Sequence, residues 1–245
     1  MRLLAALLLV GTAWPAAAAP APTPDEPPLV VAVKAGDLAG LKSALAGGAD
    51  VGAKDGYGWT ATMWAVGHGG SAMVNALIAA GGDPAPKGVP GYDAMIEAAK
   101  GGQAGVVPIL AARGLSCAEK DAGGVPALDY AVGQASTDTL KALLDCRAPV
   151  DARDAHGATA LIRAVQLDKT AAASLLLARG ADPNAADAHG YTALMWAAHD
   201  GRASLVSLLL SSRANPALKA ADGMTAREIA VRRGHYMVAA LLPAS

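Results

Sequence analysis

Asp187-Ala188-His189-Gly190-Tyr191-Thr192-Ala193-Leu194-Met195-Trp196-Ala197-Ala198-His199-Asp200-Gly201 is the stretch on which the reading of this chain turns. It runs on to Leu208-Leu209-Leu210, and Gly190 is its marker. Stepping back from Gly190 by 33 residues reaches Gly157, then Gly124, Gly91 and Gly58; one step forward reaches Gly223. Seven residues after each glycine stands an alanine: Ala65, Ala98, Ala131, Ala164, Ala197 and Ala230. Ala32 stands one step before the first of these, in a leading copy that lacks the glycine. A fixed period of this length means stacked supersecondary units, each burying its apolar face against its neighbours.

The unit resembles the ankyrin repeat. That family's pattern is a glycine, a variable residue, Thr-Pro-Leu-His, a variable residue and alanine, then a second helix ending in Leu-Leu, then Gly-Ala-Asp-Pro-Asn. Gly157 to Ala164, Leu176-Leu177 and Gly180-Ala181-Asp182-Pro183-Asn184 follow it, and Gly190 to Ala197 does so equally well. The departures are systematic. Alanine stands for the family proline at positions 61, 94, 127, 160, 193 and 226. The family histidine is replaced by Met63, Ile96, Asp129, Ile162, Met195 and Glu228. The resemblance implies an all-α solenoid of about seven helix-turn-helix repeats joined by hairpin-like loops. Their approximate bounds are 29–55, 56–88, 89–121, 122–154, 155–187, 188–220 and 221–245.

Thr60, Thr159, Thr192 and Thr225 stand where first helices begin, and each hydroxyl can accept an otherwise unpaired backbone N–H. The alanines let paired helices approach. Gly36, Gly69, Gly102, Gly201 and Gly234 suit the turn between the two helices of a unit. Asp154 and Asp187, three before their glycines, are expected to hold turn backbone rather than a ligand. Two units are irregular. The third has Asp93 as its cap and Pro108 expected inside its second helix, where it would remove a hydrogen bond. The fourth has Pro126 for threonine and Ala135-Ser136 for the turn glycine. These two are the expected soft units. Arg227, Glu228, Arg232 and Arg233 give the last unit the charge that a capping repeat needs.

The first residues are a separate object. Met1-Arg2 is a short positive start, Leu3 to Val10 is apolar, and Ala16 to Ala19 supplies small residues at cleavage spacing. Residues 1–18 are therefore expected to be a secretory signal peptide cut after Ala18. Residues 19–28 form a Pro-rich linker, and 29–245 the repeat domain. The expected location is the periplasm or the exterior of a bacterium. Loss of Arg2 leaves 19 of the 20 basic residues against 21 acidic ones, a net charge of −2. That is no footprint for nucleic acid. No later apolar run reaches the ~20 residues of a spanning helix, so no membrane insertion is expected.

No catalytic signature is present: no Gly-x-Ser-x-Gly, phosphate loop, His-Glu-x-x-His or Cys-x-x-Cys. No catalytic residue, cofactor or metal site is assigned. His156 and His189 occupy the same place in adjacent units, on the order of 10 Å apart, too far for one shared ion. Cys117 and Cys146 are the only cysteines. An even count in an exported protein favours a disulfide, although Cys146 comes four repeat positions earlier than the equivalent of Cys117; two separate thiols are the alternative.

In ankyrin-like stacks the loop tips and first helices line a concave face. Its variable positions are the two residues before each glycine, the one after it, and those nine and ten later. Here they include Tyr57, Trp59, His68, Tyr92, His156, His189, Tyr191, His199 and Asp200. Trp64 and Trp196 lie on first helices and read as packing residues. Aromatics with a polar handle are favoured at binding surfaces. The expectation is a monomeric, non-catalytic scaffold that binds another protein through this face. A small-molecule or metal binder in the same groove is the alternative, and an enzyme the third.

Overall fold

The computed structural model describes residues 26–87 and 92–243. The expected signal peptide and cleavage site, most of the Pro-rich stretch and Gly91 lie outside them. The chain divides into two compact units, Met1–Cys117 and Ala118–Ser245.

The first unit holds α1 (Pro28–Lys34), α2 (Leu38–Ala46), α3 (Ala61–Trp64), α4 (Gly70–Ala79), α5 (Ala94–Lys100) and α6 (Val107–Ala111). Between α3 and α4 the chain runs through a π-helical segment, Ala65–Gly69. The second unit holds α7 (Ala127–Val132), α8 (Asp138–Asp145), α9 (Ala160–Gln166), α10 (Thr170–Ala178), α11 (Ala193–His199), α12 (Ala203–Ser211), α13 (Ala226–Arg233) and α14 (Tyr236–Leu241). Each odd helix pairs with the next even one. Among the described residues there is no strand; isolated antiparallel bridges close the loops at Lys54–Thr60, Lys120–Pro126, Arg153–Thr159 and Ala186–Thr192. They are the hairpin-like loops that the repeat pattern predicts.

Local chemistry explains where the helices begin. The hydroxyls of Thr60, Thr159, Thr192 and Thr225 accept the N–H of Met63, Ile162, Met195 and Glu228. Asp93 does the same for Ile96 at 3.0 Å. Each bond satisfies one of the N-terminal donors that a helix leaves free. Ala65, Ala98, Ala131, Ala164, Ala197 and Ala230 are all at most 1% exposed, so any larger side chain there would force the helices apart. Leu143, Leu176 and Leu209 are fully buried, and their neighbours Leu144, Leu177 and Leu210 are half-buried. Each buried leucine contributes roughly 1.5–3 kcal/mol.

Two expectations are corrected. Pro108 does not interrupt a helix: α6 starts at Val107 and holds Pro108 in its first turn, where a missing N–H costs nothing. The helix is instead short, because the chain before it forms turns up to Val106. In the second pair the turn glycine is Gly70 (φ 73°), not Gly69. The π-helical segment takes up one extra residue and moves the turn along by one. In the other pairs Gly36, Gly102, Gly201 and Gly234 do carry the positive φ of the turn.

Candidate functional site

In four of the loops one aspartate organises the tip. Asp55 accepts the N–H of Tyr57 at 2.9 Å and of Trp59 at 3.0 Å on Oδ1, and the indole N–H of Trp64 at 2.7 Å on Oδ2. Asp187 repeats the arrangement with His189 N and Tyr191 N, both at 2.9 Å, and Trp196 Nε1 at 2.9 Å. Asp154 takes His156 N and Ala158 N on Oδ1 and the Arg163 guanidinium on Oδ2 at 3.2 Å. Asp121 takes Gly123 N, Val125 N and the hydroxyl of Tyr130 at 2.5 Å. A carboxylate, with four lone-pair sites, suits such a three-donor cradle. Burial works to raise the carboxyl pKa of Asp55; the bonds from Trp59, Trp64 and Tyr57 and the charge of Lys34 outweigh it and hold the group below its ordinary range.

The backbone role of Asp154 and Asp187 is the one read from the sequence. Their side-chain partners were missed, although a signal exists. Wherever aspartate stands three before the glycine, a donor stands six after it: Trp64, Tyr130, Arg163, Trp196. Where Gly88 and Ala220 replace the aspartate, Glu97 and Ile229 stand there instead.

The clamps hold aromatic stacks. In the second pair Trp59 lies against Trp64 at 5.1 Å between ring centroids, and Trp64 against His68 at 5.5 Å. In the sixth pair Tyr191 lies against Trp196 at 5.2 Å and Trp196 against His199 at 5.5 Å. The histidine is four residues after tryptophan in one case and three in the other. The π-helical segment absorbs that difference, so two sequence spacings give one centroid distance, with the rings tilted at 46° in the second pair and edge-on at 64° in the sixth. Trp59 also meets Tyr92 edge-on at 5.3 Å.

The remaining candidates divide by exposure. Tyr57 is 71% exposed, with the Lys34 ammonium 5.9 Å from its ring centroid. Lys34 stands 4.5 Å from the Trp64 centroid and pairs with Glu26 at 2.6 Å and Asp55 at 3.5 Å. Tyr92 is half-buried and donates to Pro84 O at 2.7 Å; burial first, then Glu97, Asp93 and Asp83, push its phenol pKa up. His156 and His189 are exposed at loop tips, and their carbonyls accept the N–H of Ala188 and Ala221, joining consecutive loops. His199 sits between Asp200, at 2.6 Å from Nδ1, and Arg233, which donates to Nε2. An acceptor at Nε2 places the ring proton on Nδ1, facing Asp200. Burial raises the pKa of Tyr191, with Asp222 adding to it and Arg232 and Arg233 opposing it.

Among the described residues no group of three His, Cys, Asp or Glu side chains could hold a metal ion, and no helix is long and apolar enough to cross a membrane. None of the described cysteines is a free thiol.

The family model for ankyrin repeats (3 copies) matches residues 29–121, 95–187 and 175–245. The chain belongs to the ankyrin-repeat family. Ankyrin repeats generally mediate protein–protein interaction and act as non-catalytic scaffolds. No curated protein matches the chain.

Proposed function

We propose that this ankyrin-repeat chain is a monomeric scaffold of seven repeats that binds a periplasmic or secreted protein through its loop tips and first helices. The observation that carries the reading is the doubled aromatic stack: in Trp59–Trp64–His68 and Tyr191–Trp196–His199 the imidazole stands 5.5 Å from its tryptophan in both, despite unequal spacing. The π-helical segment Ala65–Gly69 brings His68 to the same distance from its tryptophan as His199. Such segments occur frequently at functional sites. The clamp aspartates fix the tips before a partner arrives, which lowers the ordering cost of binding. Tyr57, His68, His156 and His189 are the exposed contacts; Trp59, Tyr92, Tyr191 and His199 are half-buried supports that still present an edge. Residues 1–18 direct export, and Cys117 and Cys146 pair once the chain meets an oxidising compartment.

Cross-linking in the periplasm, with identification of the captured protein, supplies the partner. Titration of Tyr57→Ala and Tyr191→Ala against it should then weaken binding by ~2 kcal/mol or more at a hot spot, with Lys141→Ala, on α8, as the unchanged control. Equal affinities for the tyrosine variants and wild type would reject the face. N-terminal sequencing that finds Met1 in cytosolic protein would reject export.

A further inference from the structure

The fourth helix pair carries a buried acid with nothing to bind. Asp129, in the first turn of α7, is 5% exposed, and neither of its carboxylate oxygens has a hydrogen-bond partner. The equivalent residues explain why. Met63, Ile96, Ile162 and Met195 are apolar and fit the same buried position. Glu228 is acidic, but its Oε2 accepts the N–H of Thr225 at 2.8 Å and the threonine hydroxyl at 3.0 Å. Asp129 is denied both donors, because three residues before it stands Pro126, which has neither an N–H nor a hydroxyl.

Neighbouring charges do not repair the loss. α7 packs against α8 and α9. From the α9 side come Arg163 and the loop residue Asp154; from the loop before α7 comes Lys120. Arg163 is engaged by Asp154 at 3.2 Å and Lys120 by the carbonyl of Arg153 at 2.9 Å. On α8, Leu140 and Leu143 are fully buried, Asp138 is bonded to Ser136, and Lys141 is exposed. Burial pushes the Asp129 carboxyl up to about 7; Arg163 and Lys120 oppose the shift and Asp154 adds to it. The sign follows. Between the ordinary 3.8 and about 7 the folded chain holds a proton that the unfolded chain has released. Stability of this pair therefore falls as pH rises through that window and levels off above it.

A second feature surrounds the same pair. Cys117 and Cys146 bracket residues 118–145, which contain all of α7 and α8. A disulfide between them restricts the opened state of this segment and of little else.

We propose that the fourth helix pair is a proton-governed joint: it is closed when Asp129 is neutral and opens locally when Asp129 is ionised, with the Cys117–Cys146 bond limiting the opening. The second half rests on the cysteine pairing proposed above. In a stack each unit is stabilised by its immediate neighbours, so one weakened pair opens without requiring the rest to unfold.

Native-state hydrogen exchange on the oxidised chain tests this, read by mass spectrometry for amides 127–145 at pH 5 to 8 and corrected for the intrinsic pH dependence. A shift from 3.8 to about 7 makes the opening constant of the wild type rise about a hundredfold between pH 5 and pH 8. Asp129→Asn should abolish the rise and keep the segment protected at pH 8. Pro126→Thr, which returns an N–H and a hydroxyl, should reduce it too and serves if the asparagine variant does not fold. A flat wild-type profile, or a full rise in both variants, overturns the proposal. Opening in a Cys117→Ser/Cys146→Ser variant should exceed that of the wild type at pH 8. Equal opening overturns the disulfide half and leaves the proton half standing, and a prior count of two free thiols in the untreated chain assigns that failure to the pairing itself.

Discussion

Replacing Asp187 by alanine removes one carboxylate and three hydrogen bonds. Two come from the backbone of His189 and Tyr191 and one from the indole of Trp196, all at 2.9 Å. They differ in cost. His189 is exposed, so water replaces the lost acceptor at little expense. Tyr191 and Trp196 are half-buried, and each of their N–H groups left unpaired costs roughly 1–2 kcal/mol. Asp187→Ala should therefore destabilise by about 2–4 kcal/mol. Asp187→Asn keeps an oxygen for the two backbone donors but offers Trp196 an amide nitrogen, which cannot accept. It should cost about 1–2 kcal/mol, one bond rather than three. The partition is checked by a cycle with Trp196→Phe, which removes only the indole N–H and some volume. Asp187→Ala and Trp196→Phe together should cost less than the sum, by about 1 kcal/mol. The assay is equilibrium urea unfolding of the wild type and all four variants at one pH. Asp187→Ala within 0.5 kcal/mol of wild type, or Asp187→Asn as costly as alanine, would refute the clamp as an energetic element. Strict additivity in the cycle would leave the backbone bonds intact as an explanation and remove the indole bond.

Other outcomes follow from single contacts. A Cβ on Gly101 would lie 1.6 Å from the carbonyl oxygen of Gly67, so Gly101→Ala must separate α5 from the π-helical segment; a urea melt should show a loss of about 2 kcal/mol or more. Tyr92→Phe deletes the hydroxyl bonded to Pro84 and should cost about 0.5–1.5 kcal/mol, and in ultraviolet titration one tyrosine should ionise later than the rest. Asp55, held below its ordinary carboxyl range, contributes stability that is present at neutral pH and lost as pH falls through its lowered value; Asp55→Asn should flatten the acid limb of a pH-stability curve. Ala197→Leu should overpack the sixth pair by about 1–3 kcal/mol, and an unchanged midpoint would contradict its full burial.

The period of the glycines and alanines determined the helix pairs, their order and their caps. These are local matters: a threonine hydroxyl reaches an N–H three residues on whatever surrounds it, and small residues repeat where helices must approach. The hairpin-like loops and the backbone role of Asp154 and Asp187 followed for the same reason. What the sequence reading missed depends on where atoms meet in space. The indole bond of Asp187 spans nine residues and a change of chain direction. The π-helical segment that brings His68 onto Trp64 leaves no mark in the 33-residue period, since the residue it takes up is recovered in a shorter turn, with α4 beginning at Gly70. Tyr92, read as a surface residue, is half-buried because the carbonyl of Pro84 lies within reach of its hydroxyl. Asp129 and Pro126 were both visible as departures from the family pattern. Only the fold showed that one deprives the other of its donor, because the cost of a carboxylate is set by its burial, and burial is settled by the elements packed around it.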